Sequence, residues 1–326
     1  MRAKTTDDEF IRLWRLHGSA KKMAEFLQVD LRTINRRRRR LELRYRIALE
    51  SEKKAHLFSH LQTAHKHGAR SQLGIEDGVV LVFSDAHFWP GIRTTAFRGL
   101  LWAIEELQPK AVICNGDAFD GSSISRYPRI GWDSKPSVVE ELKACEFSLG
   151  EVEEVALKAR HNAKLVWTLG NHDARFENLL AQHAGQYEGV KGFSLKDHFP
   201  AWTPAWSCWV NDSVVVKHRY KGGIHATHNN TVSSGKSIVT GHLHSLKVTP
   251  YSDYNQHPRF GVDTGTLAEI DGPQFVDYLE DNPVNWRSGF AVLTFNKGRL
   301  LWPELVHRFA DGVVEFRGQL VDVSSV

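Results

Sequence analysis

Cysteine is scarce in this chain of 326 residues: there are three, Cys114, Cys145 and Cys208, and no two stand in a Cys-x-x-Cys pair. That excludes a disulfide framework and a thiolate zinc site, and it fits a reducing compartment. Long apolar runs are also missing. None approaches the ~20 residues that a membrane-spanning helix requires. The amino terminus, MRAKTTDDEF, turns acidic within a few residues and has no apolar core segment of the kind a secretory signal carries. The expectation is a soluble cytoplasmic protein with no membrane partner.

Charge is present but unevenly spread. Residues 1 to 70 hold 18 Lys/Arg against 8 Asp/Glu, a net of +10, whereas residues 71 to 326 hold 24 against 30, a net of −6. A basic head on an acidic body predicts two functional parts, with the head the part that meets an anionic polymer.

The head reads as helices. Thr6-Asp7-Asp8-Glu9 is a capping box followed by Phe10, Leu13 and Trp14 on one helical face, so a first helix should reach about His17 and stop at Gly18. Ser19 caps a second, with Met23, Ala24 and Leu27 as its stripe, and a third opens at Leu31 after the turn Gln28-Val29-Asp30. Residues 24–34 resemble helix-turn-helix modules of bacterial and phage regulators, transposases and small terminase subunits, with Gln28 where a turn glycine is usual. The third helix would present Arg32, Asn35 and Arg36 to a DNA groove, and Arg37, Arg38, Arg39 and Arg40 to phosphates. Residues 41–67 contain no proline or glycine, which predicts a long helix, with Leu41, Ile47, Leu57, Leu61 and Ala64 on it, that either dimerises the protein or spaces its two parts. The expected domains are a helix-turn-helix over 1–40, a helical linker over 41–78 and a large domain over 79–326.

In the large domain one device recurs. An apolar run ends in a polar cluster at Val79–Phe83 before Asp85-Ala86-His87, at Ala111–Cys114 before Gly116-Asp117-Ala118-Phe119-Asp120, and at Lys164–Thr168 before Gly170-Asn171-His172-Asp173. It returns at Val214–Val216 before His218, and at Ser237–Thr240 before Gly241-His242-Leu243-His244. Helical segments over 95–107 and 138–160 separate the early runs. The alternation predicts an α/β core with the polar clusters gathered beyond the strand ends.

Residues 79 to about 270 therefore resemble the calcineurin-like metallophosphoesterase superfamily, whose motifs are Asp-x-His, Gly-Asp-x-x-Asp, Gly-Asn-His-Asp/Glu, a single His and Gly-His-x-His. The resemblance implies two β-sheets packed together and flanked by helices, and two divalent metal ions. Carried over, Asp85, His87 and His244 would hold one ion, Asn171, His218 and His242 the other, and Asp117 both. A hydroxide activated by this dinuclear centre would be the nucleophile, His172 the acid that protonates the leaving oxygen, and Asp120 the carboxylate that orients it.

Imidazole and carboxylate donors suit Mn²⁺ first, with Fe, Zn²⁺ and Mg²⁺ as alternatives. Arg175 either grips a phosphate oxygen or pairs with Glu177 or Asp173. The single-histidine motif is commonly His-Gly; here it is His218-Arg219, and His225 and His228 follow as competing ligands. Gly121 stands where protein phosphatases of the superfamily carry arginine, which argues against a phosphoprotein substrate.

Beyond the last motif, residues 289–324 predict a closing hairpin turning at Asn296-Lys297-Gly298, and Phe88, Trp89, Trp132, Trp202 and Trp206 are candidates to approach the site, with core packing the default for most. The leading expectation is a metal-dependent phosphodiesterase, a nuclease, tethered to DNA by its head. A phosphatase or a small-molecule or nucleotide phosphodiesterase with a targeting head is the alternative, and a DNA-binding protein with a structural metal site a third. The domain pairing is like that of phage and prophage proteins, which would place it in a bacterial host cytoplasm.

Overall fold

The chain divides into two compact units, Met1–Gly68 and Ala69–Val326. The structure, a computed structural model, describes residues 5–45, 47, 49, 70–126, 135–254, 257–279 and 282–326. None of its helices, among the described residues, is long and apolar enough to cross a membrane.

The first unit contains helices α1 (Asp7–His17), α2 (Ala20–Leu27) and α3 (Leu31–Tyr45). Each start is capped by the side chain before it: Thr6 accepts from the Glu9 amide, Ser19 from that of Lys22, and Asp30 from that of Arg32 at 2.7 Å. Gly18 ends α1 in the left-handed region, and Gln28 ends α2 there with φ 51° and ψ 47°. Phe10, Leu13, Trp14, Met23, Ile34, Leu41 and Leu49 form the core.

Two of the five consecutive arginines do not face outward, contrary to the reading of all five as DNA contacts. Arg37 bonds the Thr5 carbonyl and Asp7 and lies 4.8 Å from the Phe10 ring centroid. Arg38 lies 5.3 Å from the Trp14 ring and pairs with Glu42 at 3.6 Å. The cause is periodicity: Ile34, Arg37, Arg38 and Leu41 follow the i, i+3, i+4, i+7 pattern of one helical face, and that face packs on α1. Arg32, Arg36, Arg39 and Arg40 remain exposed and Asn35 half-buried. The helix expected over 41–67 is continuous only to Tyr45: Ile47 and Leu49 lie outside it and pack on the head's core, and the rest, with Leu57, Leu61 and Ala64 and the dimer contact read from it, lies outside the described residues.

The second unit is built on two sheets. Strands β1 (Ser71–Leu73), β6 (Cys208–Val210), β7 (Val214–Val216), β8 (Ser237–Thr240), β10 (Arg259–Asp263) and β9 (Lys247–Tyr251) lie side by side in that order. The linker expected to run helically to residue 78 is corrected here, because β1 pairs parallel with β6 and Leu73 and Ile75 are buried between the sheets. The other sheet has nine strands. Its parallel half is β2 (Gly78–Phe83), β3 (Ala111–Cys114), β4 (Lys164–Thr168) and β5 (Thr203–Ala205). Its antiparallel half is β11 (Gly289–Asn296), β12 (Arg299–Leu300), β13 (Glu304–Ala310), β14 (Val313–Phe316) and β15 (Gln319–Asp322).

The expected carboxy-terminal hairpin is thus only β11–β12. Further turns at Asp311-Gly312 and Arg317-Gly318, with φ 68° and 75° at the glycines, fold three more strands onto it.

Alternation along β2 explains why the fold has two core layers. Val80 and Val82 point between the sheets to meet Val214, Val216, Val239 and Val262. Leu81 and Phe83 point the other way, toward Leu100 and Ile104 of α4 (Thr95–Leu107) and Leu149 and Val152 of α5 (Val138–Ala159). A strand buried on both faces has to be apolar throughout, so its first polar residues, Ser84 and Asp85, appear at its end. Helices α6 (Asp173–His183), α7 (Leu195–His198), α8 (Ala226–Ser234) and α9 (Val276–Leu279) complete the unit.

Candidate metal centre

The ends of β2, β3 and β4 from one sheet and of β7 and β8 from the other deliver their polar clusters to one place. Backbone bonds join neighbouring loops: Asp85 donates to the Gly116 carbonyl at 2.9 Å, His87 to that of Asp117 at 3.0 Å, and Gly241 to that of His218 at 2.9 Å. Asp85, His87, Asp117, His242 and His244 all have positive φ, between 40° and 72°. Such a conformation costs an L-residue about 1 kcal/mol or more, and persists where the surroundings over-determine it. Several motif positions have no room for a side chain. A Cβ at Gly170 would collide with the Asp117 carboxylate, and one at Gly241 with Ser84 and Asp85.

Two groups of side chains offer donor atoms within 4.8 Å of one another: Asp85, His87 and His244, and Asp117, His218 and His242. They touch through His218, whose Nε2 lies 3.0 Å from Asp117 Oδ2 and 4.0 Å from Asp85 Oδ1. His218 Nδ1 donates to the Asn115 carbonyl at 2.8 Å, which fixes the ring and leaves Nε2 for the carboxylates. Nε2 is buried without a well-oriented hydrogen bond, and so is Asn171 Oδ1. His225 and His228 are exposed on α8 and its approach, away from these carboxylates.

The electrostatics favour positive charge at this place. Burial opposes ionisation of Asp85, but His244 and His218 outweigh it and hold its carboxyl at about 2. Burial likewise works against a charged His218, yet Asp117 and Asp85 raise it to about 10. Charge demand from buried carboxylates is what a multivalent cation would satisfy.

His87, Asp120 and His172 form a third group. Asp120 Oδ1 accepts from Nδ1 of His87 at 2.8 Å and from Nδ1 of His172 at 3.0 Å, so it orients both rings. Burial would raise the Asp120 carboxyl, but its bonds to His172 and His87 hold it well below the usual range. For His172, burial favours the neutral ring, whereas Asp117 and the Asp120 bond prevail and push its pKa up. Arg175 reaches the acid pair. It donates to the Asp120 carbonyl at 2.9 Å, and its Nη2 lies 3.1 Å from His172 Nε2.

Several supporting residues escaped the sequence reading. The buried carboxylate of Asp173 accepts five hydrogen bonds, from the amides of Asp117, Ala118, Phe119 and Gly170 and from Trp167 Nε1, at 2.8 to 3.1 Å. Burial and the Asp117 charge push this carboxyl up to about 6, so the five bonds offset a real desolvation cost. Its place in Gly-Asn-His-Asp was visible; its direction was not. The aromatic wall is also different. Phe275 and Trp286 stand over His244, with ring centroids 5.6 and 4.5 Å away. Phe88 and Trp202 are core residues packed on Phe97 and Phe83, Trp206 is exposed, and Trp132 lies outside the described residues.

Two phage proteins are similar to this chain in sequence. The Gene 54 proteins of Mycobacterium phages D29 and L5 are 24% and 25% identical over 251 and 248 residues, in each case 70% of this chain and 92% of the phage protein. The solved structure of Yfce, a phosphoesterase from E. coli, overlays with a TM-score of 0.33 at 13% identity, covering 76% of this chain and all of that one. A sequence model of the calcineurin-like phosphoesterase family matches residues 78–259, more than half of the chain and the span that carries every donor of both groups. The chain belongs to the calcineurin-like phosphoesterase family.

Proposed function

We propose that this protein is a phosphodiesterase that cleaves DNA at a dinuclear metal centre. The observation that carries the reading is the contiguity of two buried Asp/His groups, joined through His218, beside a histidine held by its own carboxylate. The residues fit two divalent cations: His218 Nε2 and Asn171 Oδ1 are buried without a well-oriented hydrogen bond, and oxygen and imidazole donors suit Mn²⁺ best. Asp85, His87 and His244 would hold one ion, Asn171, His218 and His242 the other, with Asp117 shared. Two such cations supply a water of lowered pKa as nucleophile and stabilise charge developing on phosphorus.

The chain's own groups do the rest. His172 Nδ1 is fixed on Asp120, which leaves Nε2 to protonate the leaving oxygen. Arg175 sits on that Nε2 and on the Asp120 carbonyl; a phosphate oxygen that draws the guanidinium toward itself frees Nε2 to carry the proton. The DNA half of the proposal rests on the head. Its three capped helices with the left-handed Gln28 turn support a helix-turn-helix, and Arg32, Asn35, Arg36, Arg39 and Arg40 are the residues on α3 able to meet DNA. Tethering a substrate by a short linker raises its local concentration to the millimolar range.

One panel tests the proposal: purified protein with Mn²⁺, Mg²⁺ or Zn²⁺ against linear, circular and single-stranded DNA, RNA, p-nitrophenyl phosphate and bis-p-nitrophenyl phosphate. DNA cleavage with Mn²⁺ is expected, and His172→Ala should lower kcat roughly 10²–10⁴-fold with metal content retained. Hydrolysis of p-nitrophenyl phosphate with no cleavage of any nucleic acid would replace the proposal by a phosphatase.

A further inference from the structure

One stretch of the acidic second unit runs against its overall charge, and it borders the candidate centre. Between the end of β7 at Val216 and the start of α8 at Ala226 the chain reads Lys217-His218-Arg219-Tyr220-Lys221-Gly222-Gly223-Ile224-His225. His218 turns inward to Asp117, while Arg219, Tyr220, Lys221, Ile224 and His225 are exposed. The ammonium groups of Lys217 and Lys221 lie 5.3 and 5.9 Å from the Tyr220 ring centroid. Lys247, from β9, reaches the same loop and donates to the Ile224 carbonyl at 2.7 Å.

Carboxylates neutralise some cations of the unit: Arg93, Arg259, Arg308 and Arg317 are tied to Glu151, Asp253, Glu269 and Glu304. Among the described residues Lys217, Arg219, Lys221 and Lys247 have no carboxylate at ion-pair distance. A merely solvated loop on a body of net −6 would be expected to mix signs. Here two lysines flank an exposed aromatic ring next to a candidate metal donor, with Arg219 on the same loop and Lys247 bonded to it.

We propose that this loop is the track for the single-stranded DNA flanking the scissile phosphate, with Arg219 and Lys221 on successive phosphates and Tyr220 stacked on a base. The inference rests on the nuclease reading and extends it to the shape of the substrate. A single strand fits because stacking on the exposed Tyr220 ring needs an unpaired base, whereas phosphate contacts alone would not discriminate.

The test compares the full-length Mn²⁺-loaded protein with R219A/K221A, Tyr220→Ala and Tyr220→Phe, on a single-stranded oligonucleotide, a duplex of the same sequence and bis-p-nitrophenyl phosphate, from 50 to 200 mM salt. For the single strand, R219A/K221A should raise KM at least tenfold. The slope of log(kcat/KM) against log salt should shrink by about 1.4, at about 0.7 per lost contact. Tyr220→Ala should raise KM about fivefold or more, and Tyr220→Phe should restore it, because the ring stacks without its hydroxyl. An unchanged salt slope with a cleaving wild type overturns the track. So does an equal proportional loss on bis-p-nitrophenyl phosphate, which would mark damage to the centre. Hydrolysis of that ester by a wild type that cleaves no DNA overturns the nuclease reading itself, and the track with it.

Discussion

A single carboxylate holds the loop that carries Asp117. Asp173 receives three consecutive amides, of Asp117, Ala118 and Phe119, together with the Gly170 amide and the Trp167 indole. In Asp173→Ala those five buried donors lose their acceptor, and each unsatisfied donor costs on the order of 1 kcal/mol or more. The variant should lose at least about 3 kcal/mol in urea unfolding and bind metal weakly. A loss below about 1 kcal/mol would show that water replaces the carboxylate. Asp120 has a comparable position, since its one oxygen is shared between His87 and His172, whose rings meet edge to face 4.7 Å apart. At this scale sequence motifs identify residue types at the right spacing. They do not say which carboxylate faces a cation and which faces a row of amides, because Asp85, Asp120 and Asp173 all follow strands in the same way.

Among the elements, α3 offers the sharpest contrast. Its inner face, Ile34, Arg37, Arg38 and Leu41, packs on α1, and its outer arginines are exposed. Replacing Arg36 and Arg39 with alanine should therefore weaken duplex binding and reduce its salt slope by about 0.9 for the phosphate contact of Arg39, with unfolding of the head unchanged. Arg38→Ala should instead lower head stability by about 1 kcal/mol through the lost stacking on Trp14. Equal effects of the two changes on binding and none on stability would contradict this division.

The stops and caps of these helices were legible because Thr6, Ser19 and Gly18 act on their own neighbours in the chain. The burial of Arg37 was legible too, from the same heptad arithmetic that marked Ile34 and Leu41, but a run of like charges masks it. Other elements were not. β1 has three residues, too few for a period to emerge, and it exists because β6, some 137 residues later, offers a paired edge. Phe275 and Trp286 reach His244 from a distant loop, and nothing local to either residue points there.

For the large unit as a whole, the candidate donors come from both sheets: Asp85, His87, Asp117 and Asn171 follow β2, β3 and β4, whereas His218, His242 and His244 follow β7 and β8. Cations bound there would stabilise folding by mass action, about 2.7 kcal/mol at a hundredfold excess over Kd. At roughly 2–4 °C per kcal/mol for a unit of this size, Mn²⁺ should raise Tm by about 5–10 °C, and a chelator should reverse it. An unchanged Tm across that titration would mean that the two groups take no metal.

The division of donors between sheets also gives the centre a second role. A cation held from both sides is a rivet through the sandwich, and the valines of Val80, Val82, Val214 and Val239 lie in the layer it fastens. Amide exchange in β2 and in β8, strands that share no hydrogen bond, should then slow together when metal is added.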